Sequence, residues 1–129
     1  MVIDTSAILA ILLNEPDAKR FSDVIEASGI RLISAITLLE AAIVLESRKG
    51  AAGRNQLEIF AEELDLKVVP FDESHAESAR EIYARFGKGN HKAGLNIIDC
   101  CAYALAASED EPLLYKGGDF ALTAVKSAL

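Results

Sequence analysis

The sequence predicts an α/β protein: a three-layer α/β/α domain on a mostly parallel sheet of four or five strands. Two observations carry this expectation. Short apolar runs at residues 1–4, 31–34, 67–71 and 112–115 are separated by stretches of helical periodicity, the alternation that produces parallel strands covered on both faces. The composition is 51% hydrophobic but only 6% aromatic, with no Trp, so the core must be built from Ala, Leu, Ile and Val. At 129 residues the chain has the length of one ordinary domain, and residues 1–129 are expected to form one.

Taken in order, Met1-Val2-Ile3-Asp4 is a short buried strand, and Thr5 or Ser6 can cap the helix that follows. The run Ala7 to Leu13 is too short to span a membrane. Pro16 suits the first turn of a second helix reaching about Ser28, which Gly29 ends. Arg31-Leu32-Ile33-Ser34 is the second strand. A helix over 37–49 has Leu38, Ala41, Ala42 and Leu45 at helical spacing, with Gly50 closing it. Another helix covers about 52–64. Lys67 to Phe71 forms the third strand, and Asp72 caps a helix reaching Phe86. Residues 87–94 form a loop, followed by a helix over about 96–108 that is apolar on nearly every side and therefore central. Pro112 to Tyr115 is the fourth strand, Gly117-Gly118 turns the chain, and Ala124-Val125 is a weaker fifth strand.

The formal charge is −7, from 20 acidic and 13 basic residues. This opposes a simple nucleic-acid-binding surface, which carries a basic footprint, although divalent ions at an acidic site offset such charge locally. Cys100 and Cys101 are adjacent, have no metal-ligand spacing, and are expected to be buried and reduced. Neither a signal peptide nor an apolar stretch of membrane-spanning length is evident, so a cytoplasmic location with no membrane partner is expected.

Four acids stand out. Asp4 ends the first strand, at the carboxyl rim where parallel sheets bind ligands; a helix cap is its alternative role. Glu40 lies among Leu38, Leu39, Ala41 and Ala42, where a charge is costly unless partnered, although an exposed place on a polar stripe would also accommodate it. Asp99 is the only charged group between Leu95 and Ala106. Asn96 lies on its helical face, and acceptance of backbone N–H groups near the helix start is the alternative. Asp119 follows Gly117-Gly118 past the fourth strand, as a rim ligand or another cap. A shared carboxylate site suits hard Mg²⁺ or Mn²⁺, which prefer oxygen ligands and activate water for attack on phosphorus. Phosphate transfer on a small substrate, or a non-catalytic interaction module whose acidic pocket receives a basic peptide, are the competing readings.

The opening Val2-Ile3-Asp4-Thr5-Ser6-Ala7, Glu40 within Ser34 to Ala41, Val69-Pro70-Phe71-Asp72, Phe86-Gly87-Lys88-Gly89, the block from Gly94 through Asp99 to Ala106, and Leu113 to Phe120 together resemble the PIN-domain ribonucleases, specifically VapC-type toxins of bacterial toxin–antitoxin pairs. The resemblance spans essentially the whole chain. It implies a PIN-like domain with Asp4, Glu40, Asp99 and Asp119 as catalytic metal ligands for Mg²⁺ or Mn²⁺, and Ser6 and Asn96 supporting them. It also implies an RNA substrate, a cognate VapB-type antitoxin and a homodimer. Ile98 and Gly118 stand where relatives often carry a small residue and Asn or Asp. Lys88, Lys92 and Lys116 are candidate RNA contacts. His91 is read as an exposed histidine and His75 as structural. Tyr83, Tyr103 and Tyr115 are too scattered for a stacking platform and are expected to pack.

Overall fold

The computed structural model describes residues 1–129. Four strands, β1 (Val2–Ile3), β2 (Leu32–Ser34), β3 (Lys67–Val69) and β4 (Leu113–Leu114), form one sheet in the order β3-β2-β1-β4. Every pairing is parallel. Six helices complete the fold: α1 (Thr5–Leu12), α2 (Ala18–Ala27), α3 (Ala35–Lys49), α4 (Ala51–Glu63), α5 (Glu73–Phe86) and α6 (Ile97–Glu109).

Strand alternation divides the apolar residues between two layers. Val2, Leu32 and Leu113 share one face and pack with Ala79, Ile82 and Phe86 of α5 and the Cys100–Ala106 segment of α6. Ile3, Ile33 and Leu114 point the other way, onto Ala7 and Ile8 of α1, Phe21 and Ile25 of α2, Ala41 and Leu45 of α3, and Leu57 of α4. The register follows suit: Val2 lies beside both Leu32 and Leu113, and Ile3 beside Leu114. Small residues let α6 approach closely, which explains why its sequence is apolar all round. Both cysteines are free and buried in it, and burial pushes their thiols up, Cys100 to about 12 and Cys101 to about 11.

Several boundaries differ from expectation for identifiable reasons. Of the caps considered for α1, Asp4 takes the role, accepting from the Ser6 N–H, while Thr5 and Ser6 already lie inside the helix. Pro16 sits in a turn, and α2 starts two residues later at Ala18. Helix α3 starts at Ala35 immediately after β2. Residues 124–125 form no fifth strand; the chain touches the sheet edge only through a single Leu113–Ser127 bridge, while Val125 packs against the core. Arg31 locks two helix ends, donating to Ile25 and Glu26 carbonyls at the end of α2 and to the Leu64 carbonyl after α4.

The chain enters the sheet at β1 and adds β2 and β3 on one side, whereas β4 adds on the other. Strand order therefore reverses between β1 and β4. In an open parallel sheet the carboxyl end of that reversal is the place where a crevice forms.

Candidate active site

The reversal point is built by three residues. Asp4 follows β1 directly, and its backbone N–H donates to the Leu114 carbonyl of β4 at 2.9 Å. Its side chain is only 3% exposed and accepts from Ser6 N–H at 3.0 Å and Ser6 Oγ–H at 2.5 Å. Ser6 Oγ in turn accepts the Lys116 backbone N–H at 2.9 Å, so one hydroxyl joins the ends of β1 and β4. Burial raises the Asp4 pKa, the Ser6 hydrogen bonds oppose that rise, and the charge of Glu40 adds to it.

Asp99 enters from the first turn of α6. Asn96 Oδ1 accepts the Asp99 N–H at 2.8 Å, and Asp99 Oδ2 accepts the Asn96 N–H at 2.9 Å, a reciprocal capping box. The capping role considered for Asp99 is thus observed, and it uses only one carboxylate oxygen. Its pKa is pushed up to about 6, first by burial and then by the negative charges of Asp4, Glu40 and Asp119, with the Asn96 hydrogen bond acting against the shift. The four acids singled out in the sequence thus share one electrostatic field.

Glu40 is half-buried on α3 and borders an apolar hollow of about 300 Å³ with Ile36, Leu39, Ile43 and Ile98. Asp119 is exposed and precedes a short 3-10 turn, Phe120–Leu122, without capping it through its side chain. The largest hollow, about 480 Å³ between α5 and α6, includes Phe71, Tyr83, Ile97 and Cys100 in its wall but none of the four acids.

The pattern of counter-charges is more informative. The salt bridges engage other acids, among them Glu15, Asp17, Asp23, Glu77 and Asp110. None of Asp4, Glu40, Asp99 and Asp119 pairs with a cationic side chain. No three acidic, histidine or cysteine side chains converge into a ready-made metal cage. What suits Mg²⁺ or Mn²⁺ is the donor chemistry, carboxylate oxygens without a cationic partner, since these hard ions prefer oxygen ligands and keep several waters.

The remaining candidates divide clearly. Lys88 and Lys92 are exposed on the 87–94 loop. The Lys116 ammonium is already bonded to Glu15 and Asp17. His91, expected to be exposed, is half-buried: Nδ1 accepts the Ala93 N–H at 3.0 Å and the ring meets Phe86 edge-on. His75 is buried, with Nε2 at 3.3 Å from Ser108 Oγ, the structural role expected of it. Tyr103 stacks on Phe86, and Tyr115 lies against Phe120. The sequence did not single out Glu15 and Asp17, whose partner lies about one hundred positions away, or the buried hydroxyls of Ser34 and Thr37, which pair with no protein group.

The PIN-domain family model matches residues 1–126, and the chain belongs to that family. Within it, the chain is 46% identical to ribonuclease VapC30 of Mycobacterium tuberculosis, covering 93% of this chain and 92% of the relative. It is 46% identical to a VapC ribonuclease of Mycolicibacterium smegmatis, over 97% of each chain. It is 45% identical to ribonuclease VapC28 of M. tuberculosis, over 100% of this chain and 98% of the relative. The fold matches the crystal structure of M. tuberculosis VapC20, described as a sarcin-ricin loop cleaving toxin, with a TM-score of 0.79 at 16% identity, covering 96% and 95% of the two chains. It also matches a chain in the structure of VapBC2 from Rickettsia felis bound to a promoter DNA fragment, with a TM-score of 0.75 at 15% identity over 98% and 95%.

Proposed function

We propose that residues 1–129 form one PIN-like domain acting as a metal-dependent endoribonuclease, the toxin of a toxin–antitoxin pair. The observation that carries this reading is that the Asp99 carboxyl lies within reach of the charges of Asp4, Glu40 and Asp119, while none of the four pairs with a cationic side chain. Membership in a family whose relatives are named VapC ribonucleases supports the same activity.

Asp4, Asp99, Glu40 and Asp119 are the residues that would hold Mg²⁺ or Mn²⁺. When bound, the ion would lower the pKa of a water and neutralise charge developing on the phosphate. Asp4 serves as the rigid carboxylate, oriented by Ser6. Asp99 offers the oxygen left free by its capping box, and Asn96 fixes the other. Glu40, half-buried beside an apolar wall, orients a water or completes the ligand set. Lys88 and Lys92 are placed on an exposed loop suited to contact RNA phosphates.

A cognate antitoxin of VapB type is the expected partner, as in the VapBC complex among the structural neighbours, and a homodimer is the expected assembly. No helix is long and apolar enough to cross a membrane; the cytoplasmic location is proposed on the toxin reading alone. The decisive assay uses purified protein freed of any antitoxin. Mg²⁺- or Mn²⁺-dependent cleavage of RNA, lost in Asp4→Ala and Asp99→Ala, is expected. Absence of cleavage, or full cleavage by either variant, would overturn the proposal. Ion-independent capture of a basic peptide by a non-cleaving wild-type protein would instead favour the interaction-module reading.

A further inference from the structure

Lys116 leaves β4 next to the acidic rim, yet its charge is directed elsewhere. Its Nζ is ion-paired with Glu15 and lies 2.9 Å from Asp17 Oδ1, both in the turn between α1 and α2. The three side chains are each about one-third exposed, at 34%, 34% and 37%, so solvent only partly screens the cluster. The same residue's backbone N–H donates to Ser6 Oγ. A serine hydroxyl has one proton; with the Lys116 N–H occupying a lone pair, that proton goes to Asp4 Oδ2.

Beyond Lys116 the chain turns at Gly117, which has φ +100°, and Asp119 is held separately, its carbonyl accepting the Leu122 N–H beside the buried Phe120. Backbone and side chain of Lys116 therefore bear on Asp4, through Ser6.

We propose that Lys116 is a positioning residue: its bond to Glu15 and Asp17 staples the chain after β4 so that Ser6 stays aimed at Asp4. The inference rests on the proposed ion-binding role of Asp4. It also separates two uses of this lysine. A contact to substrate phosphate requires a free ammonium, so loss of Glu15 and Asp17 would help that role and would harm positioning.

The test compares full-length wild type with Lys116→Met, Lys116→Arg and the double variant Glu15→Gln/Asp17→Asn. Exchange of the Lys116 amide, Mn²⁺ affinity by electron paramagnetic resonance, and kcat and KM on a single-stranded RNA oligonucleotide are measured. Lys116→Met and the double variant should each accelerate amide exchange, weaken Mn²⁺ binding and lower kcat by about tenfold, the scale seen when groups supporting ligands are lost, with KM little changed. Adding Lys116→Met to the double variant should cost nothing further, because both break the same staple. Lys116→Arg, whose fork can meet two carboxylates, should restore most of the loss.

A double variant with lower KM and unchanged kcat, alongside a Lys116→Met protein with raised KM, would make Lys116 a phosphate contact and overturn the proposal. Variants that melt earlier but keep kcat and Mn²⁺ affinity would overturn it too, leaving the staple a purely structural feature. If Lys116→Met does not fold, the double variant decides. A wild type that binds Mn²⁺ but cleaves no RNA would count against the ribonuclease reading alone, since amide exchange and Mn²⁺ affinity still judge the staple.

Discussion

Asp4 and Asp119 flank the same strand reversal but are held in opposite ways. Asp4 is buried, caps a helix and receives two hydrogen bonds from Ser6. Asp119 is exposed, follows two glycines and caps nothing with its side chain. Asp99 lies between these extremes, with one oxygen tied to Asn96 and its carboxyl sensing the other three. The difference teaches how the proposed site would be ordered and still accept an ion: one carboxylate is fixed by the fold, one is half-fixed, and one would adjust as ion and phosphate arrive. Preorganising every carboxylate would force like charges together with no counter-charge, which is costly in a partly buried place.

Substitution should grade the site in that order. Asp4→Asn is expected to lower RNA cleavage most, by about 100- to 1,000-fold, comparable to losing a principal electrostatic group in other enzymes. Its fold should survive, because an amide oxygen can still accept the Ser6 N–H as a cap. Circular dichroism beside kcat/KM separates the two effects; an unfolded variant would show that the carboxylate serves chiefly as a cap.

Asp99→Asn should come next, with a large loss of cleavage and a gain in melting temperature for the ion-free protein. The folded-state pKa of Asp99 is raised from 3.8 to about 6, so folding disfavours its charged form. The resulting stabilisation is full below the unfolded value and is lost as pH rises through about 6. Asn removes that charge while its side-chain oxygen keeps the Asn96 bond. Ion binding has the opposite pH dependence, since the ion competes with the proton: the melting shift produced by Mn²⁺ should be larger at about pH 7 than at about pH 5. A shift independent of pH would remove Asp99 from the ligand set.

Asp119→Asn should lower cleavage by a smaller factor, about tenfold, with no change in melting temperature, because no bond in the fold depends on its carboxylate. Least affected in activity should be Arg31→Ala. That substitution removes three hydrogen bonds to helix-end carbonyls and should cost about 2 kcal/mol of stability, the scale of hydrogen bonds to a charged group. The folded fraction should cleave RNA normally.

Much of this contrast could be read from the chain. Asp4 was placed at the carboxyl rim by the apolar run before it, and Asp99 stood out as a lone charge in an otherwise apolar helix. Both assignments relied on local patterns of period 2 or 3.6. Asp4 was also legible as a cap for α1, in competition with Thr5 and Ser6, and the structure decides for Asp4 because its backbone is still extended where Thr5 begins the helix. The ion pair of Lys116 with Glu15 and Asp17 was hidden, since sequence spacing says nothing about contacts between the first turn and the last strand. The apolar pair Ala124-Val125 resembled a strand, but Val125 packs against the core while Ala124 is exposed, a distinction that periodicity over two residues does not make.

The central claim is that Asp4, Glu40, Asp99 and Asp119 act as one ion site. Mn²⁺ titration of antitoxin-free wild type, Asp4→Asn and Asp99→Asn at about pH 7, followed by electron paramagnetic resonance, tests it most directly. The account predicts saturable Mn²⁺ binding by wild type, weakened by about tenfold or more in each variant, in parallel with the loss of RNA cleavage. Equal Mn²⁺ affinity in all three proteins would contradict it.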